Sequence, residues 1–157
     1  DWEALRAASQ TIQQRTGKPG WAFPAGSCGT PAIWFFMNFY WWSKGPGLID
    51  RGSDGRFLVS MTPQQIQEGF DYYHRYLQEG HNPRASLSIC LWGAPEVVEG
   101  MLSGNIAMCS NPDTVAIEIL DKWAQRNPGR PAPFATAPHP AGPNGSRTFF
   151  GLSLIHL

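Results

Sequence analysis

Met101-Leu102-Ser103-Gly104-Asn105-Ile106-Ala107-Met108, followed at once by Asn111-Pro112-Asp113, decides the fold class of this chain. It reads as a helix end, a glycine stop, a short buried strand over 105–109 and a new helix start. Asn111 supplies a cap and Pro112 a first-turn residue that lacks a donor to lose. The first turn of a helix carries unpaired N–H donors, and in α/β proteins the adjoining strand end opens into a crevice, so the junction predicts a ligand site as well as an architecture.

Outward from that junction the same alternation recurs. Asp1 caps a helix with Leu5, Ala8 and Ile12 on one stripe, and Gly17 and Pro19 end it. The segment 20–24 is a strand candidate and 25–30 a flexible turn. Thr30 and Pro31 open a second helix, apolar nearly all round to Trp42, which predicts burial on most sides. Asp50 to Gly55 has turn chemistry and Arg56 to Val59 is a short extended piece. Thr62-Pro63-Gln64-Gln65 combines a cap, an N1 proline and a capping-box glutamine, and the helix it starts is expected to bury Ile66, Phe70, Tyr73 and Leu77. A short helix starts at Pro95. The helix opened by Pro112 is expected to bury Val115, Ile119, Leu120 and Trp123, and 132–137 and the apolar run 149–157 are strand candidates. The alternation predicts one α/β unit over 1–157, a mixed central sheet flanked by helices. The apolar last run, expected to lie inside a sheet that continues, makes the chain read as an excised piece.

Composition narrows the function classes. The 157 residues, 42% of them hydrophobic, suffice for one core. Twelve basic and twelve acidic residues cancel and form no long run, so nothing points to nucleic acid as a partner. Seven Trp, nine Phe and four Tyr exceed what a core of this size needs, and indoles make flat half-polar platforms for sugar rings. Cys28, Cys90 and Cys109 show no metal-ligand spacing, and no metal or cofactor is expected. The thiols are either all free or, in an exported protein, one disulfide plus one free thiol. The longest apolar stretch, 31–42, is too short to span a bilayer.

Several blocks, in order, resemble the extracellular (periplasmic) solute-binding proteins of ABC transporters, in particular the sugar-binding family. Asp1-Trp2-Glu3-Ala4-Leu5 resembles its Thr-Trp-Asp-Glu-Leu helix start, and 45–50 with Gly55 its Gly-Gly turn and short Asp/Gly hairpin. Gly80-His81-Asn82-Pro83 resembles its Gly-x-x-Pro helix end. Met101, Gly104, Ala107 and Met108 fall where the family has Phe-x-x-Gly-Lys-x-Ala-Met, and Pro138-His139-Pro140 with Gly142, Pro143 and Gly145 resembles its Pro-x-Pro-x-Gly-Pro-x-Gly loop. The family's tryptophan just after Ala-Met is absent, which moves the stacking expectation to Trp92 and Trp34.

The resemblance implies most of the C-terminal lobe of a two-lobed, hinge-closing receptor on the outer face of the cell membrane. Its implied partners are a small-molecule solute, carbohydrate being the family's usual cargo, a missing N-terminal lobe and a membrane permease. The candidate ligand-binding residues are Ser27, Thr30, Trp34, Trp92, Asn111, Asp113, Phe150 and Ser153. No catalytic residues are assigned. Each candidate has a plainer reading too: Ser27 and Thr30 as turn and cap, Trp34 as core, Asn111 and Asp113 as groups satisfying a helix start. The competing functional class is a fragment of a glycoside hydrolase using Glu96, Glu99 or Asp113, whose spacing solvated helix faces also produce.

Overall fold

In the computed structural model, residues 1–26, 32–45, 47, 49–91 and 93–145 are described, with backbone alone for 32–36. Among the described residues, five α-helices and two small sheets make a mixed α/β architecture. In chain order they are α1 (Trp2–Thr16), β1 (Trp21–Ala22), α2 (Ala32–Lys44), β2 (Ile49–Arg51), β3 (Phe57–Val59), α3 (Pro63–Gln78), a 3₁₀ turn (Arg84–Ser88), α4 (Pro95–Leu102), β4 (Met108–Cys109) and α5 (Asp113–Arg126). The expected central mixed sheet is instead two separate ones among the described residues. β1 pairs parallel with β4, Trp21 opposite Met108, and β2 pairs antiparallel with β3.

The helix starts follow from local chemistry. Asp1 accepts from the Ala4 N–H at 2.8 Å, and Thr62 and Gln65 close a full capping box in which the Gln65 N–H reaches Thr62 Oγ1 at 3.2 Å and the Thr62 N–H reaches Gln65 Oε1 at 2.8 Å. Gly17 ends α1 in the left-handed region at φ 69°, where a side chain would be strained.

Three expectations for local structure are overturned. Residues 132–137 form no strand, because Pro131 and Pro133 remove alternate donors from one edge and Pro138 and Pro140 follow directly. The strand expected over 105–109 shrinks to Met108–Cys109, since the N–H groups of Asn105 and Ile106 turn back to the Gly100 carbonyl at 2.8 and 3.0 Å and seal the end of α4. On α3 Tyr73 is buried as expected, but its buried companions are Gly69, Tyr72 and Tyr76, and Phe70 is exposed. Tyrosine is the reason: its hydroxyl can be satisfied internally, and Tyr72 donates to the Trp2 carbonyl at 2.6 Å while its oxygen lies 2.8 Å from the Tyr76 hydroxyl. Burial above all pushes both phenols far above their ordinary pKa, so these groups stay neutral.

The core is an aromatic cluster formed by α1, β1, α2 and α3, in which Trp2, Trp21, Phe23, Tyr40, Tyr72, Tyr73 and Tyr76 meet. Edge-to-face and stacked pairs dominate, with Tyr40 and Tyr72 stacked at 4.6 Å and Trp21 edge-on to Tyr76 at 4.9 Å. The Trp2 indole donates to Ser43 Oγ at 2.7 Å and so ties α1 to the end of α2. A second, smaller cluster of Val98, Val115 and Ile119 joins α4 to α5, but Leu120, expected inside it, is exposed. No helix among the described residues is long and apolar enough to cross a membrane.

Gly69 is where α3 lets α2 approach. A Cβ there would sit 2.7 Å from Cε2 and 3.0 Å from Cδ1 of the Trp41 indole, which is buried. Gly69→Ala is therefore expected to destabilise by about 1–3 kcal/mol through overpacking. Urea unfolding of Gly69→Ala beside the double variant Gly69→Ala/Trp41→Phe checks it, because shrinking the indole should recover part of the loss.

Candidate functional site

β1 and β4 run in the same direction, so their C-terminal ends share one side of the molecule, and α5 starts there. At that place a groove of about 640 Å³ opens. It is lined by Trp21 and Met108, by Ala116, Ile117 and Leu120 of α5, and by the irregular segment Phe134–Pro140, whose Phe134 packs on the α4–α5 cluster. Polar groups gather at one end, where Ser110, Asn111 and Asp113 leave β4 and enter α5.

The junction is built differently from the sequence expectation. Asn111 does not cap α5. Its amide Nδ2 donates to Cys109 Sγ at 3.0 Å, and the N-cap position falls to Pro112, which offers no side-chain acceptor. Asp113, in the first turn, accepts from the Thr114 N–H at 2.9 Å and places its negative charge where the helix dipole favours one. One carboxylate interaction uses a fraction of its acceptor capacity, so Asp113 remains a site for hydroxyl donors. Trp21 is tied to this end, its indole donating to Ser110 Oγ at 3.0 Å. A carboxylate at the lip, together with a helix mouth already served by its own first-turn acid, suits a neutral hydroxyl-bearing ligand better than an anion.

Of the eight candidate residues, Asn111 and Asp113 are brought together at the groove. Ser27, Thr30, Trp92, Phe150 and Ser153 lie outside the described residues, and Trp34 lies in the part of α2 described by backbone alone. The sequence reading missed Ser110 and the wall formed by Phe134, Thr136 and His139. The Pro138-His139-Pro140 motif was visible as a rigid loop, but nothing in it says what it faces.

His139 fastens that wall to the core. Its ring lies 4.5 Å from Phe39 and 6.4 Å from Trp2, and its buried Nδ1 has no hydrogen-bond partner among the described residues. Burial holds its pKa below the ordinary 6.5. The unfolded chain therefore takes up the proton more readily than the folded one, so stability is complete above about pH 6.5 and falls as pH drops toward the folded value. Urea midpoints at neutral and mildly acidic pH should converge in His139→Phe, which keeps the ring packing and removes the titration.

The cysteines resolve the alternative left open by sequence: Cys90 is disulfide-bonded, and Cys109 carries a free thiol, which burial shifts to a higher pKa. Among the described residues no group of three or more His, Cys, Asp or Glu side chains converges as a metal site would require. Of the acidic residues considered for hydrolysis, Glu96 and Glu99 lie on α4 and Asp113 in the first turn of α5. Glu99 binds Arg126 through two bonds of 2.7 and 2.8 Å, an α4–α5 pair that lowers its pKa. No family model, curated protein or solved structure matches the chain.

Proposed function

We propose that the chain is a solute-binding module, resembling the C-terminal lobe of a sugar-binding receptor of an ABC import system, and that the groove beside α5 is one wall of its ligand cleft. The observation that carries this reading is the groove itself: an apolar trough at the C-terminal ends of parallel strands, with Asn111 and Asp113 at its lip. Sugars need that combination, since a pyranose has apolar C–H faces and a rim of hydroxyls. The resemblance of 101–108 and 138–145 to the family's motifs supports it, because Met101, Ala107 and Met108 of the first and Pro138, His139 and Pro140 of the second line the groove. The Cys90 disulfide favours an oxidising compartment and so a location outside the cytoplasm. In this reading a second lobe supplies the opposite wall, hinge closure encloses the sugar and a permease receives it.

The hydrolase reading finds less support. A general acid needs a raised pKa, and Glu99 is shifted the other way by Arg126.

Tryptophan fluorescence during titration with a panel of neutral mono- and oligosaccharides tests the proposal, because Trp21 lines the groove. Expected is a saturable change for at least one sugar, with no release of reducing ends. One wall alone encloses less ligand, so dissociation constants on the order of a millimolar are anticipated. No change with any sugar, or turnover of a glycoside, overturns the reading.

A further inference from the structure

The β2–β3 hairpin exposes every one of its strand residues. Four of them are large and apolar: Ile49, Phe57, Leu58 and Val59 are 58%, 78%, 55% and 70% exposed. Single apolar residues on a surface are ordinary, but here Ile49, Phe57 and Val59 share one face of a two-stranded ribbon and Leu58 lies on the other, so both faces of the β3 edge are apolar.

The register says which backbone groups are free. The Gly52 N–H donates to the Arg56 carbonyl at 2.8 Å, and the following pairs are Arg51–Phe57, Asp50–Leu58 and Ile49–Val59. Bonded and non-bonded pairs alternate in an antiparallel ladder. Leu58 therefore exchanges its hydrogen bonds with Asp50, while Phe57 and Val59 turn their N–H and C=O groups to the outer edge of β3. Among the described residues no strand pairs with that edge.

We propose that this edge binds a second copy of the same chain. β3 pairs antiparallel with β3 of the partner about a twofold axis at Leu58, giving a four-stranded sheet in the order β2, β3, β3, β2. In that register Phe57 lies opposite Val59 of the partner subunit, so the two residues with outward backbone groups meet each other and form bonded pairs on both sides of the axis. Leu58 meets Leu58 of the partner subunit, and Arg56 lies opposite Ser60 of the partner subunit, so no like charges face each other. Charge selects this edge over its neighbour: the equivalent pairing of β2 about Asp50 would set two aspartates face to face. Ile49, Phe57 and Val59 of both copies then share one face of the sheet. Three-residue strands bury much less than a standard interface, so the dimer is weak, with a dissociation constant on the order of 100 μM.

Analytical ultracentrifugation of the 157-residue chain tests this over a range from about tenfold below to about tenfold above that value. The wild-type mass should rise toward two copies and stop. Leu58→Lys places its ammonium beside Asp50 within the hairpin but sets two like charges together at the axis. Val59→Pro removes only an N–H that β2 does not use. Each should weaken association at least tenfold while leaving the circular dichroism spectrum and Tm in place. A monomer throughout the range overturns the proposal, as do association that both variants leave intact and growth beyond two copies by open-ended pairing of β2 with β3.

Discussion

Replacing Trp21 by alanine should cost about 3–5 kcal/mol of unfolding free energy, a large share of the roughly 5–15 kcal/mol available to a domain. The indole is 1% exposed and sits among Phe23, Tyr73 and Tyr76 at ring separations of 4.7, 5.8 and 4.9 Å. These neighbours belong to α3 and to the segment just after β1, held by α3's helical hydrogen bonds, so little of the space left behind can be closed. The substitution also removes the bond to Ser110 Oγ and with it the link from β1 to the groove's polar end. Trp21→Phe separates the two effects, since it keeps most of the ring packing and loses the hydrogen bond, worth about 1 kcal/mol. Thermal unfolding should record a fall of roughly 6–20 °C for alanine and only a few degrees for phenylalanine.

The second large effect concerns the ligand. If the lip holds sugar hydroxyls, Asp113→Ala should weaken binding of whichever sugar quenches fluorescence by roughly tenfold, and the pair Asn111→Ala/Asp113→Ala by roughly 30- to 100-fold. Both side chains sit at the start of α5, so a loss of helix could imitate a loss of contacts. Asp113→Asn distinguishes the two, because it keeps a hydrogen-bonding side chain at the same place and gives up the charge. Affinity recovering in part with Tm unchanged identifies a direct contact. Equal affinities for all variants would remove Asn111 and Asp113 from the site.

What was legible in the sequence was local chemistry. Asp1, Gly17, Thr62 and Gln65 act within three or four residues of themselves, and their caps stand as the spacing predicts. What was not legible depended on distant partners. The tyrosine face of α3 is buried because Tyr72 finds the Trp2 carbonyl, 70 positions away, and no periodicity records that meeting. Asn111 had the profile of a cap, but the helix begins at Asp113 and leaves the N-cap position to Pro112, one residue beyond Asn111. The candidate site follows the same division. Asn111 and Asp113 were readable as a helix mouth, whereas the Phe134–Pro140 wall is an irregular segment whose prolines declare rigidity and not direction.

The parallel pairing of β1 with β4 carries a kinetic consequence. The Trp21–Ser110 bond that accompanies it spans 89 positions, while the hairpin joins residues only a few positions apart. Loop closure of that length has to be met before any burial rewards it, which slows folding. The groove is therefore expected to form after the locally closed hairpin and α3, and a nascent chain that has not yet delivered β4 holds Trp21 without the strand it lies beside.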